Sequence, residues 1–148
     1  MDNTKIFIEN TINECSGSLT NKGTMSQNNI NAITGTLINE SQMANNNIET
    51  VKDLNTTQNF ENNDITIITN IVNTNIISDN VFITVDDINN TGLIQENMID
   101  YIKSLENSGT ITNNVINNIN ASLTNKKTIH NNTIGDIATD LVNTNHII

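Results

Sequence analysis

Proline, tryptophan and arginine are absent from this chain, and a single cysteine, Cys15, stands alone. Without a second thiol no intrachain disulfide forms, so stability must come from packing and hydrogen bonding. Without arginine, and with 16 acidic against 6 basic side chains, the net charge of −10 leaves no surface suited to phosphate contacts and excludes a nucleic-acid partner. Lys126 and Lys127, the one basic pair, read as a solvated turn. No stretch approaches the roughly 20 apolar residues of a membrane span, so no membrane insertion is expected. Met1 to Cys15 is studded with Asn, Thr and Glu and lacks the apolar core of a secretory signal. Asp2 stands where N-myristoylation needs glycine. Cytoplasmic synthesis is expected, and action at an extracellular surface or in a virion would follow excision from a precursor or release by lysis.

Aromatic side chains make up 3% of the chain, and their scarcity together with high polarity is a mark of disorder. What is present argues the other way. Asn, Ile and Thr supply more than half of the residues, and the apolar ones are large, β-branched and periodic. A nucleotide bias toward Ile and Asn would enrich Lys too, yet only 6 are present, so the Asn and Thr excess points to a structural demand.

Apolar residues recur at spacings of six, five, three and four, with one fewer in places, giving a repeat of about 17–18 residues. The series runs Phe7, Ile12, Cys15, Leu19, then Met25, Ile30, Ile33, Leu37, then Met43, Ile48, Val51, Leu54. It continues Phe60, Ile65, Ile68, Val72, then Ile77, Phe82, Val85, Ile88, then Leu93, Met98, Tyr101, Leu105. Ile111, Ile116, Ile119, Leu123 and Ile129, Ile134, Ile137, Leu141 close it, with Ile147 opening another turn. A fixed period over residues 1–148 predicts a single repeat domain, a solenoid or a fibre, because each unit buries its apolar face only against its neighbours. Cys15 takes a place filled elsewhere by Ile33, Val51 and Ile137, and reads as a small buried hydrophobe.

Polar positions repeat as well. Two residues beyond each Leu-type position stand Asn21, Asn39, Thr56, Thr74, Asn90, Asn107, Asn125 and Asn143. Three beyond the next apolar position stand Asn10, Asn28, Asn46, Asn63, Asn80, Asn114 and Asn132, with Glu96 the exception. The fullest unit, L-x-N-x-G-T-I-x-x-N-x-I-x-x-I, occurs at 105–119 and, with Met25 for its first Ile, at 19–33. The offset of 86 residues implies duplication of a block of units.

Two architectures fit this pattern. In an all-β parallel β-solenoid of about eight coils, each repeat is one coil. Asn and Gly at fixed offsets then make the turns, because they tolerate αL dihedrals and hydrogen-bond their own backbone. Like Asn residues stack into ladders, amide over amide. The expected ladder residues are Asn21, Asn39, Asn107 and Asn125 in one row and Asn28, Asn46, Asn63, Asn114 and Asn132 in the other. Ile, Val and Thr suit strands, while the helix formers Ala, Lys and Glu are scarce. Lack of proline leaves every interior strand its N–H groups. No Asn-Gly or Asp-Gly occurs, which speaks against antiparallel hairpins.

In the second architecture, N-x-I-x-x-I-x-x-x-L offers an N-cap followed by apolar residues at i, i+3 and i+7. That allows a short-repeat helical solenoid, a mixed α/β solenoid or a coiled-coil fibre. Against one continuous helix, the position six beyond each Leu falls off the apolar stripe at about 100° per residue. Gly23-Thr24 and Gly109-Thr110 would also interrupt it. Short helices of this composition are marginal alone. The β-solenoid is the fold expected.

The L-x-N-x-G-T-I stretch at Leu19–Met25 and Leu105–Ile111 resembles the repeats of filamentous-haemagglutinin-type adhesins, which form right-handed parallel β-helices. The I-x-x-N-x-I stretch, as at Ile129–Ile134, resembles coils of pectate-lyase-like β-helices and the inner segment of leucine-rich repeats. The present unit is shorter than a typical coil of any of these. The resemblance covers nearly the whole chain and implies architecture, not activity.

Catalytic machinery is missing from the pattern. No nucleophile and base stand at a working spacing, and a pectate-lyase-like enzyme would need clustered Asp ligands with basic catalytic residues. No enzymatic activity, metal or cofactor is expected. His130 and His146 fall at polar offsets within turns and read as surface side chains. Asp86-Asp87 has no glycine-rich calcium loop around it and reads as a solvated pair. Gly23 and Gly109 belong to turns, with no phosphate-binding pattern nearby. The N-x-[ST] sequons at Asn39, Asn55, Asn89, Asn120 and Asn131 match chance at this Asn content and are not read as glycosylation sites. A threonine array for binding ice would need more regularity than the row Thr24, Gln42, Asn59, Ile76, Gly92, Thr110, Thr128 provides.

Eight coils at about 4.8 Å each would make a rod about 40 Å long. Four apolar side chains per coil, each worth roughly 1.5–3 kcal/mol when buried, would give it a thin continuous core. The end coils of such a rod present unpaired edges. The repeat starts within the first residues and stops mid-unit at Ile147-Ile148 with no polar cap, so end-to-end stacking, trimerisation or excision from a longer chain is expected. The role expected is a non-enzymatic structural or adhesive element of a virion, phage fibre or surface filament. The alternative is a solenoid binding module that presents one face to a protein or glycan partner without polymerising.

Overall fold

Ile, Val and Thr favour extended backbone, and with no proline every residue keeps its N–H for a ladder. In a computed structural model, which describes residues 1–147 and side chains to residue 145, every regular element is a strand. Long strands Asn29–Asn39, Asn47–Thr56, Asp64–Asn73, Val81–Asn90, Met98–Asn107 and Val115–Asn125 lie in an 11-stranded parallel sheet. Short strands Thr24–Ser26, Met43–Ala44, Phe60–Glu61, Ile76–Ser78, Leu93–Gln95, Thr110–Thr112 and Thr128–His130 lie in a 9-stranded one. Each pairs in parallel with its equivalent one coil on: Met43 with Phe60, Phe60 with Ile77, Ile77 with Ile94. The chain is a parallel β-solenoid, and the helical, mixed and coiled-coil alternatives are set aside.

The strand Asn47–Thr56 explains the apolar spacing that resembles a helix. Ile48, Val51, Leu54 and Thr56 are buried, while Glu49, Thr50, Lys52, Asp53 and Asn55 are less so. On a flat strand successive side chains alternate. Where the strand bends, two neighbours both face out, and the inward spacing grows from two to three. The two bends in this strand supply the threes.

Coils of 17 and 18 residues differ at the second bend. Three residues lie between Ile33 and Leu37 but two between Val51 and Leu54, and the pairing shifts register between Ile33 and Thr36 to absorb the difference. A second shift between Ile102 and Ser104 returns the longer form toward the C-terminal side. Counting four residues from Ile68 fits only the longer coils. Ile71, not Val72, therefore fills the core of its coil, and Val72 is 42% exposed. Ile94, Ile99 and Ile102 likewise take the places expected of Leu93, Met98 and Tyr101, leaving Met98 55% exposed.

One residue per coil, between the short and the long strand, adopts αL: Glu9, Gln27, Asn45, Asn62, Asp79, Glu96, Asn113 and Asn131 have φ between 52° and 59°. No glycine has positive φ among the described residues, which corrects the expectation that glycine turns the chain through αL. Glycine serves close approach instead, since a Cβ at Gly23 would overlap the Lys5 carbonyl and one at Gly109 the Gly92 carbonyl.

The core is a stack of like rows: Ile33, Val51, Ile68, Val85, Ile102 and Ile119 lie over one another, each fully buried. Cys15 joins this row below Ile33 and packs against the core, but in the first coil it is half-buried, not enclosed. The αL assignment is testable at Glu96. Glu96→Asn should raise the urea midpoint and Glu96→Val lower it, the two separated by about 1–2 kcal/mol, because a β-branched side chain tolerates αL worst; equal midpoints would refute it.

Candidate functional site: amide ladders and a lateral groove

Burying a carboxamide costs free energy unless its oxygen and both hydrogens find partners. This chain buries many, and it answers that cost with stacking. In the first ladder, Asn3 Nδ2 donates to Asn21 Oδ1 at 2.8 Å, and Asn21 donates in turn to Asn39 at 3.0 Å. The row resumes at Asn73, which donates to Asn90 at 2.8 Å, and Asn90 donates to Asn107 at 2.8 Å. Asn107 donates to Asn125 and Asn125 to Asn143, both at 2.9 Å. Most of these side chains also close their own turn, as where the Gly109 N–H donates to Asn107 Oδ1 at 3.1 Å.

The second ladder lies beside the αL residues. The Asn28 backbone N–H and Nδ2 both donate to Asn46 Oδ1, at 3.1 and 2.9 Å. Asn46, Asn63, Asn80, Asn97 and Asn114 repeat this pattern to the next residue in the row, ending on Asn132. Nδ2 also reaches carbonyls of its own and the preceding coil, as from Asn80 to Ser78 at 2.8 Å and Phe60 at 3.0 Å. No buried side-chain nitrogen or oxygen lacks a partner among the described residues.

All nine ladder residues expected from the sequence lie in these two rows. Asn73 stands where Thr74 was expected, Asn97 removes the exception at Glu96, and Asn3 was missed. The signal that finds them is a strict spacing: seven residues separate the two rows across every short strand, as from Asn73 to Asn80 and Asn90 to Asn97. Thr56 is the one substitution in the first row. Asn39 Nδ2 donates to its Oγ1 at 3.3 Å, and Thr56 spends its only hydrogen on the Gln58 carbonyl at 2.5 Å, so the row does not pass on to Asn73.

The remaining polar candidates sit on the outside. His130 ends the strand Thr128–His130 rather than lying in a turn, and is exposed. The His146 side chain and Ile148 lie outside the described residues. Asp86 is half-buried and Asp87 exposed, and no cluster of potential metal ligands occurs among the described residues. Of the sequons, Asn39 is a fully buried ladder residue, while Asn55, Asn89, Asn120 and Asn131 are exposed. Leu93, not Gly92, occupies the outward row of Ile76 and Thr110. Lys22–Glu40 and Lys126–Glu106 join adjacent coils as exposed ion pairs of small energetic weight. No described helix is long and apolar enough to cross a membrane.

Two surface features stand apart. Met98 and Val115 are exposed neighbours on one face, near Ile83 at 44% exposure. On another face a groove of about 440 Å³ runs along the rod. One wall carries Asp53, Asn70, Asp87 and Ser104, the other Asn55, Val72, Asn89 and Glu106. Asn70 Nδ2 donates to Asp53 Oδ1 at 2.6 Å.

Comparisons with protein-family models, curated proteins and solved structures find no match to this chain. The fold itself defines the class, a parallel β-solenoid with internal asparagine ladders. The parallel β-solenoid expected from the repeat is therefore shown, while no match supports the specific likeness to adhesin or pectate-lyase-like coils.

The ladders make opposite predictions at two positions. Asn80→Ala strips partners from the Asn63 N–H and from buried carbonyls, and should lower unfolding free energy by about 3 kcal/mol. Thr56→Asn restores a donor to the first row and should raise it by about 1 kcal/mol. Urea titrations of both variants check this.

Proposed function

We propose that this protein is a non-enzymatic structural or adhesive rod, a component of a virion, phage fibre or surface filament that assembles end to end from copies of itself. The observation that supports this most is the direction of the ladders. In both, the amide nitrogen of one coil donates to the side-chain oxygen of the next coil toward the C-terminal side. A copy added head to tail continues both rows, whereas tail-to-tail contact sets donors against donors. Toward the two ends of the described rod Leu141 is 52% exposed, and Phe7, Ile12, Ile134 and Ile137 are partly buried.

A second reading, a solenoid binding module that stays monomeric, draws support from the lateral groove. Sedimentation velocity over a wide concentration range separates the two. The rod should sediment faster as concentration rises, and Leu141→Asp should abolish that rise. A species that remains monomeric at millimolar concentration would reject the filament and leave the binding module. No release of reducing ends from polysaccharides is expected in either case.

A further inference from the structure

The groove on the long-strand face carries a pattern that the fold does not require. Inward positions are fixed by the core and the ladders, but the outward ones are free to vary. Even so, the pair Asp-x-Asn occurs twice, as Asp53 with Asn55 and as Asp87 with Asn89, in one register two coils apart. At about 4.8 Å per coil the two pairs are about 10 Å apart. Between them lie Asn70 and the exposed side chain of Val72.

The chemistry of the lining narrows the ligand. No cationic side chain lines the groove, so a phosphate, sulfate or nucleic-acid chain has nothing to neutralise it. No aromatic ring lines it either, so a flat base or ring finds no stacking platform. Backbone groups along the floor are spent on the parallel ladders, so an extended peptide cannot add as a strand. Side chains alone remain. Carboxylates accept hydrogen bonds and carboxamides both donate and accept, which is the complement of a hydroxyl group. Val72 offers an aliphatic spot between the polar pairs. The groove volume of about 440 Å³ falls in the range of ligand sites.

We propose that this groove binds a linear, uncharged, polyhydroxylated chain, an oligosaccharide, with the Asp53–Asn55 and Asp87–Asn89 pairs as two subsites in one register. This rests on the adhesive, binding part of the proposed role and not on end-to-end stacking.

The test uses the whole chain, isotopically labelled for NMR, with cellohexaose, chitohexaose and mannohexaose as probes and hexalysine as the cationic counter-probe. At least one hexasaccharide should shift the Asn55 and Asn89 side-chain amides along a saturating curve. Asn89→Ala should weaken that binding roughly 3- to 10-fold. Val72→Arg, which fills the groove, should abolish it. Both positions are exposed, and an unchanged far-UV circular dichroism spectrum shows that the variants fold. Absence of a saturable shift with all three saccharides, or binding indifferent to both substitutions, overturns the proposal. Binding of hexalysine alone overturns it in favour of a cationic partner. Sedimentation of the same samples reads stacking separately, so a monomer that binds saccharide refutes the filament and leaves this inference standing.

Discussion

The buried carboxamide is the group on which the rest of this structure depends. A coil that encloses only a few apolar side chains has little burial to spare, and each coil adds amides that must be satisfied away from water. A single side chain cannot satisfy its neighbour at any height but one. Stacking therefore has to be in register, and the chain between ladder residues has to keep its length. It does so across the short strand, where the two rows are always seven residues apart. The extra residue of the longer coils appears only at the bend of the long strand, as between Ile33 and Thr36, where no ladder side chain is displaced.

Because every strand pairs one coil away, the molecule behaves as a chain of nearest-neighbour interfaces. No hairpin closes locally, so the cost of ordering one full coil precedes the gain from stacking the next, which makes the first interface the hard step. After that, each coil meets a template already shaped for it. The interfaces are not equal. The one between Thr56 and Asn73 keeps its backbone pairing and the Asn63–Asn80 bonds but passes no side-chain bond along the first row.

Periodicity made the architecture legible, because a solenoid repeats the same demand on the sequence every turn. Ile30, Ile48 and Ile65 occupy one row, and so do Asn28, Asn46 and Asn63. Strand against helix was harder to read, since a bent strand spaces its inward side chains by three and imitates a helical face. Apolarity alone places a core residue one position off where Ile is followed or preceded by another large apolar residue. Ile71-Val72 and Leu93-Ile94 offer two candidates for one place, and apolarity alone does not choose between them. The amide spacing does choose, because only Asn73 and Asn97 keep seven residues to Asn80 and Asn90. The groove was not visible as a motif: Asp53 and Asp87 are 34 positions apart, and only the pairing register brings their side chains to one wall.

Since the interior is prescribed, whatever distinguishes this rod from another of the same fold must lie in its outward rows. Those rows carry an acidic excess, 16 carboxylates against 6 lysines over the chain. Parallel sheets with β-branched, polar-aliphatic faces are prone to associate side by side, and like charge on their flanks opposes this. The repulsion acts across the flanks and leaves the amide ladders at the ends unaffected, because carboxamides carry no net charge. An acidic excess on the flanks therefore disfavours lateral association of copies. The same charge would repel an anionic polymer from the groove, so the electrostatics of the whole molecule and the lining of one face select against the same class of ligand.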